Sequence, residues 1–141
     1  MIDRFNVRVY AACIKNNKLL VLREEYAGGS LAKFPGGGLE FGEGALDCLK
    51  RELLEELNLK ITKTEHLYTQ EDFLISRFSD KEQLLTLYYT VDVEEINDLV
   101  ILDPCIESLE WISLKEENPF ELPVDKIVFD KLKEKYVNAP L

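Results

Sequence analysis

The stretch that most constrains this chain runs from Gly36 to Leu59, GGGLEFGEGALDCLKRELLEELNL. Three glycines open it and a leucine-striped segment closes it. Glycine accepts backbone angles that other residues avoid and lets a ligand or a side chain approach closely, so Gly36, Gly37 and Gly38 suit a sharp backbone cradle. The segment after it has helical period, and the spacing predicts a helix from about Gly44 to Leu57. Leu46, Leu49, Leu53 and Leu57 form its expected core stripe. Glu52, Glu55 and Glu56 fall at i, i+3 and i+4, so they project together from a neighbouring face. Clustered carboxylates repel unless a cation sits among them, and hard divalent ions such as Mg2+ take oxygen ligands. One helix is therefore expected to serve both the core and a metal site. Asn58 follows where a left-handed cap is wanted, and Asp47 and Glu55 are each one turn from Arg51, at pairing distance.

The rest of the chain reads as the scaffold for that segment. With 141 residues, 46% of them hydrophobic and 31% charged, it fits one compact domain covering residues 1–141. Val7, Val9, Ala11 and Cys13 alternate with Arg8, Tyr10, Ala12 and Ile14 at the period of a strand, and Lys15-Asn16-Asn17-Lys18 is a hairpin turn into a strand from Leu19 to Arg23. Glu24 to Ala32, with Gly28-Gly29-Ser30, reads as a loop. Pro35 holds Lys33-Phe34 extended. Further strands are expected at 61–67, 84–93 and 109–114, the last containing Trp111. The stretch 70–83 fits either a strand pair with a long turn or a lid. A terminal helix is expected from Pro123 to Tyr136, with Val124, Val128, Leu132 and Tyr136 on its buried side.

Charge and cysteine content narrow the function. The net charge of −10 speaks against a broad nucleic-acid or anionic-membrane surface, which needs clustered Lys and Arg. No apolar run is long enough to span a membrane. Cys13, Cys48 and Cys105 are odd in number, widely spaced and free of any CxxC, which reads as buried reduced thiols in a cytoplasmic protein. His66, the one histidine, reads as a surface or partly buried residue of a strand.

Gly37, Glu43, Arg51, Glu52, Leu53, Glu55, Glu56 and Leu59 together resemble the Nudix box, Gx5Ex7REUxEExGU with U aliphatic. The spacing is met throughout, and the residue types differ only where Asn58 stands for the penultimate Gly. Phe34-Pro35-Gly36-Gly37 is similar to the family's usual lead-in. The resemblance, to a MutT-like hydrolase, implies an α/β fold of the Nudix type, an α/β/α sandwich with a mixed β-sheet between helices. It also implies hydrolysis of a diphosphate bond in a nucleoside diphosphate linked to another moiety, dependent on Mg2+ or Mn2+. By position, Glu52, Glu55 and Glu56 would be metal ligands, joined by the Gly36 carbonyl. Arg51 would orient them, and Glu43 would tie the loop to the helix. Glu107, four residues before Trp111, would complete the site, with Glu110 and Asp103 as rivals. Glu55, Glu56 or Glu107 would act as general base.

The substrate is expected to be a small nucleotide derivative, either a nucleoside triphosphate or a nucleotide-sugar or ADP-ribose type. Gly36 and Gly37 would cradle it, Arg23 and Lys33 would meet its phosphates, and Phe34 would stack on its base unless it belongs to the core. Arg77 is a further candidate phosphate contact. The apolar stretch 73–78 is a candidate homodimer interface. The competing class is a non-catalytic nucleotide sensor on the same fold, which retention of all three glutamates disfavours.

Overall fold

The computed structural model describes residues 1–26 and 29–137. Strand β1 (Arg4–Lys15) turns through Asn16 and Asn17 into β2 (Lys18–Tyr26), followed by β3 (Gly29–Lys33) and the short β4 (Gly36–Gly38). Helix α1 (Ala45–Leu57) comes next, then β5 (Ile61–Thr69), β6 (Glu82–Val93), β7 (Ile106–Ser113) and helix α2 (Pro123–Tyr136). The strands run in the order β3-β2-β1-β6-β5, with β4 added on β1 and β7 on β2. The β1–β6 pair is parallel and the other pairs are antiparallel, so the sheet is mixed.

Alternation along the strands divides the core between two faces. Val9, Ala11, Leu20 and Leu22 pack with Leu49, Leu53 and Leu57 of α1. Ala12, Val21, Phe34 and Tyr88 pack with Val124, Val128, Phe129 and Leu132 of α2. The three α1 leucines are wholly buried, and a leucine side chain so buried contributes about 1.5–3 kcal/mol. The stripe therefore holds the helix and sets the direction of its glutamates.

Local signals explain the connections. Asn16 and Asn17 both have φ near 60° (54° and 60°), the mirror-image turn that matches strand twist. Asn58 caps α1 in the left-handed region at φ 58°. Its N–H donates to the Leu54 carbonyl at 3.1 Å and that of Leu59 to Leu53 at 3.3 Å. Pro123 opens α2, where a missing N–H costs nothing.

Several expectations are corrected. The loop expected at 24–32 is strand on both sides: Glu24 faces Leu31 and Leu22 faces Lys33 across the β2–β3 hairpin. The charges of Glu24 and Glu25 had masked a hairpin whose outer face is wet; residues 27–28 lie outside the described residues. The 70–83 stretch, read as either a strand pair or a lid, is a loop up to the start of β6 at Glu82, tied to that strand by an isolated bridge between Ile75 and Gln83 and by the Leu84 N–H donating to Leu74 at 2.9 Å. Gln70 secures it, its Oε1 accepting from the Thr86 N–H at 3.1 Å and its Nε2 donating to the Leu84 carbonyl at 3.0 Å. Leu46 and Tyr136 are each 38% exposed and Cys105 is exposed. Both stripe residues lie in a terminal turn of their helix, where angular position no longer guarantees a covering neighbour. Among the described residues, no helix is long and apolar enough to cross a membrane.

Candidate active site

The site begins with the contact between β4 and β1. Gly36 has φ 143°, and a Cβ there would lie 2.1 Å from the Val9 carbonyl oxygen, so only glycine fits. At Gly37 a Cβ would lie 2.5 Å from the Glu52 carboxyl carbon. The glycine strand thus lies directly against the glutamates of α1. The Gly36 N–H donates to Glu56 Oε1 at 2.9 Å, joining strand to helix at a buried point.

Arg51 lies among the acidic side chains. Its Nε and Nη2 donate to the two oxygens of Glu43 at 2.7 and 2.9 Å. Nη2 also donates to the Gly38 carbonyl at 3.1 Å, and Nη1 to Glu52 at 3.0 Å and Glu55 at 3.3 Å. This planar fork suits paired carboxylate oxygens, and it holds the Glu43 carboxyl down at about 2. The expected Asp47–Arg51 pair does not form; Asp47 accepts instead from the Gly44 N–H at 2.9 Å, capping the helix start.

The glutamates differ in environment. Glu55 is exposed, whereas the Glu52 side chain is 16% exposed and Glu56 is buried. Burial is the main cause that raises the Glu56 carboxyl to about 7; Lys33 and the Gly36 N–H oppose it, while Glu52 and Asp103 add to it. Asp103 comes within this reach because Leu102 donates to the Glu56 carbonyl at 2.8 Å, binding the 99–103 loop along the helix end.

Of the residues expected to complete the site, Glu107 sits exposed at the β7 bulge opposite Arg23 and Glu24. It makes no hydrogen bond or ion pair to a box residue among the described residues. Glu110 is engaged by Arg23 at 3.0 Å, so the charge of Arg23 is spent across β2 and β7. Asp103 is the rival whose charge reaches Glu56. Phe34 is wholly buried and stacks on Phe120, with centroids 4.5 Å apart. It is a core ring, and the base-stacking expectation is corrected: apolar packing on both sides leaves no face for a ligand.

A cavity of about 320 Å3 lies on the other side of Arg8 and Lys33, and no box glutamate is among its lining residues. Arg8, Tyr10, Lys33, Leu74, Tyr88 and Asp125 are among its walls. Lys33 links it to the box: its Nζ pairs with Glu24 at 3.0 Å, and its charge reaches Glu56. At the far wall Asp125 accepts from the Tyr88 hydroxyl at 2.5 Å. Burial raises its carboxyl to about 6, against the lowering influence of Tyr88, Lys33 and Arg8. Arg77 also lines the cavity. Arg8 and Asp125 escaped the sequence reading. The available signal for Arg8 was its alternation with Val7 and Val9, which turns it to the face opposite α1. For Asp125 it was a carboxylate in the first turn after Pro123, two turns before buried Leu132.

Could these residues hold a metal? As the side chains stand, no trio of His, Cys, Asp or Glu among the described residues converges tightly enough. Glu52 and Glu55 lean on Arg51, and Glu56 turns to Gly36. The donor set still fits a hard divalent cation: all three side chains offer oxygen alone, from adjacent helical positions. The absent Cβ of Gly37 leaves room for the Glu52 carboxyl on the strand side.

A mixed sheet between two helices, with a glycine strand against an Arg-held glutamate cluster, defines the class, and comparison with known proteins agrees. The NUDIX domain model matches residues 4–132. The chain belongs to the Nudix hydrolase family. Among its relatives, the U8 snoRNA-decapping enzyme of Homalodisca vitripennis is 30% identical over 80 residues, covering 57% of this chain and 41% of that protein. Nucleoside triphosphatase NudI of Enterobacter sp. (strain 638) is 29% identical over 91 residues, covering 62% and 64%. The chain thus matches less than two thirds of the length of either relative. The solution structure of the E. coli ORF135 protein superposes with a TM-score of 0.78 at 20% identity, covering 99% of this chain and 95% of that one. That likeness is one of fold.

Proposed function

We propose that this protein is a divalent-metal-dependent pyrophosphohydrolase acting on a nucleoside triphosphate or a nucleotide-sugar-type diphosphate. The observation that carries the reading is the packing of the glycine strand against Glu52 and Glu56 of α1, with Arg8 and Lys33, whose charges reach those carboxylates, in the wall of a largely apolar cavity. The cavity suits a nucleoside and the carboxylate side suits its metal-bound phosphates. The name of NudI, a nucleoside triphosphatase, supports the first substrate class.

Glu52, Glu55 and Glu56 would hold Mg2+ or Mn2+. When bound, the ion neutralises phosphate charge and lowers the pKa of water. The chain supplies the rest. Arg51, anchored on Glu43 and the Gly38 carbonyl, restrains Glu52 and Glu55. Lys33 offers positive charge between cavity and carboxylates. Burial raises the Glu56 carboxyl to about 7, a range suited to accepting a proton near neutral pH.

The test is a panel of nucleoside triphosphates, oxidised dGTP, nucleotide sugars, ADP-ribose and dinucleotides, with Mg2+ or Mn2+, scored by phosphate release. Metal-dependent turnover of a triphosphate or a nucleotide sugar is expected. No turnover of any compound would overturn the reading.

A further inference from the structure

Among the described residues, no carboxylate forms an ion pair with Arg8. Three other cations around the site are each spent on a carboxylate: Arg51 on Glu43 at 2.7 Å, Lys33 on Glu24 at 3.0 Å, and Arg23 on Glu110 at 3.0 Å. The Nε of Arg8 donates to the Tyr10 hydroxyl at 2.6 Å, while Nη1 and Nη2 make no hydrogen bond among the described residues. Arg8 is half-buried and lines the cavity, a position where a guanidinium gains from an anion brought by a ligand.

The position of the group is equally telling. The guanidinium carbon lies 5.6 Å from the Tyr10 ring centroid and 6.0 Å from that of Phe78. These two ring contacts hold the guanidinium in place. On the other side a Cβ at Gly38 would lie 3.8 Å from Nη1, so a terminal nitrogen borders the glycine strand. The charge of Glu52 reaches Arg8 as well. Arg8 therefore stands where cavity and carboxylate cluster meet. A ligand with an apolar group in the cavity and phosphates on the glutamates must pass its planar fork at the joint.

We propose that Arg8 binds the phosphate nearest the nucleoside, selecting substrates whose cavity group is joined directly to a phosphate. This rests on the hydrolase reading above. A planar fork of N–H donors is the geometry that grips phosphate oxygens. Arg8 thereby registers the phosphate chain while the glutamates serve the phosphates beyond it.

The test compares AMP, GMP, CMP and UMP with their four nucleosides. Binding to the wild type, Arg8→Lys and Arg8→Gln is measured by calorimetry without added metal, with circular dichroism to check folding. The wild type is expected to bind at least one mononucleotide about tenfold more tightly than its nucleoside, and Arg8→Gln to lose that preference while nucleoside affinity stays within about twofold. Arg8→Lys, which keeps the charge without the fork, is expected to fall between and serves alone if Arg8→Gln does not fold. Equal losses for nucleoside and mononucleotide would show a packing role and overturn the proposal. So would an unchanged preference in the variants, or a wild type without one. Because no turnover is needed, these outcomes are separate from failure of the hydrolase reading, which appears only as an inert wild type in the panel.

Discussion

The Glu52 carboxyl carbon lies 2.5 Å from where a Cβ on Gly37 would stand. The glycine is thus a space reserved for a functional side chain. Gly37→Ala is expected to push Glu52 aside, since a carboxylate end can swing, and to lower metal-dependent activity at least about tenfold with the fold intact. Gly36→Ala should differ in kind, meeting the Val9 backbone at φ 143° and costing about 2 kcal/mol or more of stability. Urea unfolding alongside activity separates the two; a Gly37→Ala enzyme of full activity would contradict the first expectation.

Arg51 grips both oxygens of Glu43 and reaches Glu52, Glu55 and the Gly38 carbonyl. Lysine keeps the charge but cannot fill these positions at once. Arg51→Lys is expected to lower both melting temperature and activity, with weakened apparent metal affinity in a Mg2+ titration. Unchanged metal dependence would contradict it.

Much of this was legible in residue spacing because the physics is local. The leucine stripe, the Asn16-Asn17 turn, the Asn58 cap and Pro123 act within a few residues of themselves. Non-local features were less legible. Phe34 could be core or ligand platform until Phe120 was seen against it. Leu46 sat at the right angle but with no cover. The cavity depends on Arg8, Lys33 and Asp125 meeting across long sequence separations. A pattern of carboxylates likewise gives neither acidity nor partner: Glu56 and Glu55 are adjacent in sequence, yet one is buried and the other exposed.

Asn58 departs from the box, but its φ of 58° shows a backbone role. Asn58→Gly is expected to stay within about 0.5 kcal/mol of the wild type. Asn58→Ala should cost about 1 kcal/mol, the penalty of a Cβ in the left-handed region. Equal stability of the Ala and Gly variants in chemical unfolding would contradict the assignment.

Asp125 makes stability pH-dependent. Its carboxyl is raised to about 6 by burial, against about 3.9 in an unfolded chain. The folded state binds the proton more tightly, so this contribution favours folding at low pH and is lost as pH rises from about 4 through 6. Asn can still accept from the Tyr88 hydroxyl but cannot ionise. Asp125→Asn is therefore expected to gain roughly 1–2 kcal/mol relative to the wild type between about pH 5 and pH 8. Urea unfolding at both pH values measures it; a pH-independent difference would contradict it.

The central claim is that the glutamates on α1 form the hydrolytic centre. The most direct measurement is phosphate release by Glu55→Gln and Glu56→Gln with Mg2+ and the best substrate of the panel. Each variant is expected to keep a wild-type circular dichroism spectrum and to lose at least about tenfold in kcat/KM, as the loss of a ligand or proton acceptor demands. Full activity in both folded variants would contradict the account.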